Sequence, residues 1–184
     1  MKIIEDIRIK AGQRNIAKSL RNQDRKVQVC NLRDAHSVAL LLKIVEKSDL
    51  LEVQKFAKFL KGEFGTRKVF ILGYYDAKKD FPEYLQAKVD FDFFTRDDLD
   101  WKGTPTGIVV DNFSEENFDI LIDMNNYYNV PLRHMLAVSN AKLMVGRFSE
   151  ENKPFFDIML STNRDNFEEY CNQLVKYLTM INPK

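Results

Sequence analysis

Two cysteines, seven glycines, five prolines and two histidines are few for 184 residues, and each scarcity removes a class of protein. Cys30 and Cys171 lie far apart and neither belongs to a CxxC pair, so a disulfide-stapled scaffold, a zinc site and thioredoxin-like chemistry find no support. Few Gly and Pro, beside 45% hydrophobic and 12% aromatic residues, exclude collagen-like, low-complexity and disordered chains. A chain of this length buries roughly 70% of its unfolded surface in one core. His36 and His134 stand alone, and no GxSxG elbow offers a nucleophile. GxGxxG and GxxxxGK[ST] are also missing, which disfavours dinucleotide and P-loop nucleotide binding, so no cofactor is expected. Asp90-Phe91-Asp92 has the form of a metal-holding DxD, but acids two apart on a strand merely share its solvent face, so no metal site is expected. The longest buried-looking run, Val38 to Leu42, is far too short to cross a membrane. The start carries Glu5 and Asp6 and no apolar core of a secretory signal, so a cytoplasmic protein is expected.

A net charge of only +1 hides an asymmetry. Residues 1–33 hold nine Lys or Arg against three acids, a net of +6, and the remaining residues hold 19 basic and 24 acidic, a net of −5. We therefore read a basic N-terminal helical arm over 1–33 and a single α/β domain over 34–184. Such an arm can bind nucleic acid or an anionic membrane, or dock on its own body or on another subunit. Ile3, Ile4, Ile7 and Ala11 share one helical face, whereas Ile9, Ile16 and Leu20 lie nearly opposite, with Gly12 between the sets. This divided pattern argues against one membrane-seeking stripe, and no aromatic residue before Phe56 offers a base-stacking platform. Self-docking, a homo-oligomer contact or a protein partner is the preferred role of the arm.

From residue 37 strand-like and helix-like segments alternate. Val38 to Ile44 is an almost continuous apolar run, as in a central strand covered on both faces. Asp49 with Glu52 resembles a capping box, and Leu50, Val53, Ala57, Leu60 and Phe64 then recur at helical spacing until Gly65. Lys68 to Gly73 reads as a second strand, parallel to the first with a right-handed crossover. Further strands are expected at Val89 to Phe94, Thr106 to Val110, Phe118 to Met124 and Lys142 to Gly146. A helical turn is capped by Thr95 with Asp98, and a helix starts near Pro131. The loop Arg147 to Lys153 is too short for a crossover helix, so Phe155 to Leu160 is expected to return antiparallel. Phe167 to Ile181 closes the chain as an amphipathic helix. The expected fold is a three-layer α/β domain with a mostly parallel, Rossmann-like sheet, an antiparallel strand near the C-terminus and an N-terminal helix.

In open parallel sheets ligands collect beyond the carboxyl ends of the strands, where strand order reverses. The candidate ligand-binding residues are therefore Gly73, Tyr74, Tyr75, Asp123, Asn125, Asn126, Gly146 and Arg147. Carboxamides, aromatic faces, a carboxylate and a guanidinium suit a small polar ligand such as a sugar or a phosphorylated compound. The plainer alternative has Asp123 capping its loop, Arg147 paired with Glu150 or Glu151, and Tyr127 and Tyr128 covering the sheet edge.

The segment order over the whole chain, with its FDILIDM, NAKLMVGRF and PFFDIML stretches, resembles an uncharacterised bacterial family of small α/β proteins of unknown function. Residues 118–146 are also similar to the N-terminal half of heptosyltransferase-like glycosyltransferases. That second resemblance implies an acceptor-like or anion-binding cleft, because such enzymes hold the nucleotide-sugar mainly in their other domain. Two readings follow. One is a non-catalytic ligand- or partner-binding protein, which the missing catalytic set favours. The other is a minimal glycosyltransferase-like enzyme acting on a sugar or phosphosugar, with Asp123 as base or hydroxyl orienter and Arg147 as anion clamp.

Overall fold

The computed structural model describes residues 2–78, 81–162 and 166–182. Five helices, α1 (Lys2–Asn22), α2 (Lys47–Phe64), α3 (Ile108–Glu115), α4 (Val130–Val138) and α5 (Phe167–Met180), surround six strands. These are β1 (Ser37–Ile44), β2 (Lys68–Tyr75), β3 (Phe91–Thr95), β4 (Ile120–Asp123), β5 (Leu143–Arg147) and β6 (Ile158–Leu160). They form one sheet in the order β3-β2-β1-β4-β5-β6, with every neighbouring pair parallel. All six carboxyl ends thus lie along one edge, and strand order reverses between β1 and β4.

Alternation along β1 divides the core. Val38, Leu40, Leu42 and Ile44 pack with α2 and α5, while Ala39 and Leu41 pack with α3, α4 and Ile16 of α1. Both faces are covered, which is why β1 is apolar almost throughout. Gly65 ends α2 in the left-handed conformation at φ 64°, as its position implies. The first cap is Glu46 instead of Asp49: Asp49 sits three residues into the helix and accepts the Glu46 N–H at 2.8 Å. Thr95 and Asp98 form the expected reciprocal cap on the 3-10 turn Arg96–Asp98.

Two expected elements are overturned. No strand forms at Thr106 to Val110; α3 begins at Ile108, despite three β-branched residues, because Val110 and Phe113 reach the core at helical spacing. β6 is not antiparallel. Val145 pairs with Ile158 and Arg147 with Leu160 in parallel register. The crossover manages without an α-helix by using a 3-10 turn at Glu150–Asn152 and then burying Phe155 and Phe156 against Met144 and Met135.

The arm docks on the body. Ile16 is buried, and a Cβ on Gly12 would lie 2.6 Å from the Lys102 carbonyl oxygen, so glycine is what lets α1 approach the loop before α3. Asn15 donates to Thr104, Gln23 donates to the Ser139 carbonyl, and Arg25 makes a two-pronged ion pair with Asp157 at 2.6 and 2.9 Å. The side chains of Ile3 and Ile4 lie outside the described residues. Among the described residues, no helix is long and apolar enough to cross a membrane.

Candidate functional site

Asn125 occupies the position where strand order reverses. Its Oδ1 accepts the Lys43 N–H at 2.6 Å and its Nδ2 donates to the Leu41 carbonyl at 3.3 Å. A side-chain amide thus continues the β1 to β4 ladder after β4 stops at Asp123. Open space lies on one side, past β4 and β5. A cavity of about 350 Å³ is lined there by Asn125, Asn126, Tyr127 and Tyr128 after β4, by Arg133 of α4, and by Arg147 to Asn152 after β5. That volume falls in the range of small-molecule sites.

Charge is unusually deep beside this cavity. Asp123, Arg133 and Arg147 are 7%, 5% and 6% exposed. Asp123 Oδ1 accepts from the Asn125 backbone N–H at 3.1 Å and from its carboxamide. Burial pushes the Asp123 carboxyl above the usual carboxylate range, against the pull of Arg133, Asn125 and Arg147. Burial likewise pulls both guanidiniums below their ordinary value, with Asp123 opposing it, yet arginine stays charged at physiological pH.

Each guanidinium is held by neighbours from other elements. Arg133 lies over the rings of Phe155, Tyr128 and Phe156, at 4.7, 5.2 and 5.6 Å. It donates through Nη2 to Asn152 Oδ1, while Asn152 Nδ2 donates to the Arg147 carbonyl at 2.6 Å. Arg147 donates to Thr162 Oγ1 at 2.6 Å and stacks 3.8 Å above the Tyr170 ring, whose hydroxyl donates to the Asp123 carbonyl at 2.9 Å. Among the described residues Arg133 Nη1 is buried without a hydrogen-bond partner. One carboxylate therefore faces two guanidiniums, one of which has a donor to spare.

The expected residues divide accordingly. Asn125, Asn126 and Arg147 line the cavity, and Asp123 lies buried among its supports. Gly73, Tyr74 and Tyr75 share the same sheet edge, but β1 and β4 separate them from β5, and they line no part of this cavity. Gly73 is a packing glycine, since a Cβ there would lie 2.5 Å from Ile44 Cδ1, and Tyr74 is buried with its hydroxyl on Asp76. Gly146 likewise yields its space to the Phe156 ring. Of the plainer alternative, Asp123 does cap its loop, whereas Arg147 turns to Thr162 and Tyr170. Asp90 and Asp92 of the DxD-like pair are occupied separately, by Lys61 and by the Phe93 N–H.

Arg133 and Asn152 escaped the sequence reading. The one available signal was α4 itself: VPLRHMLAV is apolar around its whole circumference, as in a helix buried on all sides, and a charge inside such a helix needs a purpose.

No curated protein and no solved structure matches the chain, so the likeness of residues 118–146 to glycosyltransferases gains no support. A family model does match over residues 8–181, and by that match the chain belongs to DUF6913, a family of unknown function.

Proposed function

We propose that the protein is a non-catalytic, Rossmann-like binding protein for a small anionic ligand, seated in the cavity beyond β4 and β5. The strand order, read as 3-2-1-4-5-6, is that of doubly wound sheets that place ligands at their carboxyl edge. One observation carries the reading: among the described residues a nine-tenths-buried guanidinium, Arg133, keeps a partnerless Nη1 beside the cavity, where two buried guanidiniums outnumber one buried carboxylate and the rim acids Glu150 and Glu151 are exposed, Glu150 on Lys153. A phosphate or carboxylate supplies the missing acceptors and balances that charge. The Asn125 and Asn126 carboxamides and the exposed Tyr127 ring provide hydrogen bonds and a stacking face for the rest of a sugar-sized ligand.

A thermal-shift panel of inorganic phosphate, sugar phosphates, small dicarboxylates and the matching neutral sugars tests this. A ligand at one hundred times its Kd stabilises by about 2.7 kcal/mol, which raises Tm by about 5–10 °C in a chain of this size. The anionic members are expected to shift Tm and the neutral sugars are not. Arg133→Met keeps the apolar stem among its three rings and should abolish the shift while the circular dichroism spectrum is preserved. A flat panel, or a shift that survives in Arg133→Met, overturns the reading.

A further inference from the structure

Docking uses only one side of α1. Gly12, Asn15 and Ile16 face the body, and the opposite side carries Ile7, Lys10, Arg14, Lys18 and Arg21, all exposed. At 100° per residue these five fall within an arc of about 80°, and the four cations span about 17 Å along the helix. No acidic residue of the helix falls inside that arc. Among the described residues none of the four cations forms an ion pair, and Arg21 only returns a hydrogen bond to the Ala17 carbonyl. Ile7 is 57% exposed beside them, and Val27 and Val29 are exposed in the extended segment that follows. Ile16 and Leu20 meet the body, whereas Ile7 remains outside with the cations and Ile9 is exposed as well.

A nucleic-acid backbone would neutralise these cations but leaves the exposed aliphatic side chains without a role, and α1 offers no ring to stack on a base. An acidic bilayer answers both features, since cations meet its headgroups and aliphatic side chains enter the interface. We propose that the outward face of α1 is a peripheral docking surface for an anionic lipid bilayer. Lys10, Arg14, Lys18 and Arg21 meet the headgroups and Ile7 enters the boundary, with the helix lying flat.

Co-sedimentation of the full chain with phosphatidylcholine vesicles containing about one third phosphatidylserine, against pure phosphatidylcholine, is the test. Binding is expected to the acidic vesicles only, and to weaken as salt rises. Each basic residue near such a surface contributes roughly fivefold, so Arg14→Glu with Lys18→Glu should weaken binding at least about 25-fold, with Tm unchanged because neither side chain touches the body. Ile7→Ser should weaken it several-fold at any salt. Equal binding to neutral vesicles, no binding at low salt, or binding that survives the double charge reversal overturns the proposal. So does retention on duplex RNA, or self-association, in the absence of any vesicle binding.

Discussion

Gly146 has no room for a side chain: a Cβ built there would lie 2.5 Å from the Phe156 ring. Forcing one in displaces a buried ring that also backs Arg133. Gly146→Ala should therefore cost about 1–3 kcal/mol in urea denaturation, and Phe156→Leu in the same chain should recover much of it; an unchanged midpoint for Gly146→Ala would refute this account. From sequence, a glycine at a strand end reads equally as a place for ligand approach or for ring packing, because both need the same missing Cβ. Asn125 could be read further. Its place just beyond an apolar strand put it at the carboxyl edge of the sheet, where it lies. That its amide would stand in for a peptide group depends on β1 running longer than β4, which no local pattern encodes.

At the level of elements, α1 sets two energies against each other. Gly inside a helix costs about 1 kcal/mol relative to Ala, so Gly12→Ala should stabilise an isolated helix. Here the added Cβ would meet the Lys102 carbonyl oxygen at 2.6 Å, a backbone atom that cannot swing aside. We expect the clash to dominate: Gly12→Ala should lower Tm by several degrees and expose residues 1–22 to limited proteolysis, whereas a raised Tm would show that α1 rests more loosely than its contacts imply. The helices and strands read most directly were those with an unbroken period, β1, α2, β2 and α5, while β3, β4, α4 and β5 were placed close to their observed bounds. α3 was misread because Ile108, Val109 and Val110 favour strand locally while Val110 and Phe113 join a core to which Phe70 and α4, distant in sequence, contribute. β6 was misread because loop length argues for a hairpin only when nothing in the loop packs. Phe155 and Phe156 do pack, and they carry the chain across the sheet.

For the molecule as a whole, pH offers a signed test. Burial pulls the His134 imidazole below its ordinary value of 6.5, and among the described residues its buried Nδ1 has no partner. The unfolded chain therefore takes up this proton before the folded one does. Stability attributable to His134 is complete above about pH 6.5 and declines as pH falls from there towards the folded value. Asp123, raised by burial, acts in the opposite direction, since acidification relieves its cost. The urea midpoint of the wild-type chain should accordingly fall relative to that of His134→Leu from pH 7 to pH 5, and a difference that stays constant would exclude this histidine as the source. The whole-chain layout of alternating segments, and membership of a family of unknown function, could be read without coordinates; the sidedness of the cavity could not, because it depends on a loop meeting a helix across β4 and β5. That meeting has a genetic corollary. Among the described residues, those that line the cavity all fall within the stretch 125–152. On the proposed reading, changes within that stretch should alter which ligand is accepted, provided that Asp123, Thr162 and Tyr170 outside it are kept to hold the two arginines.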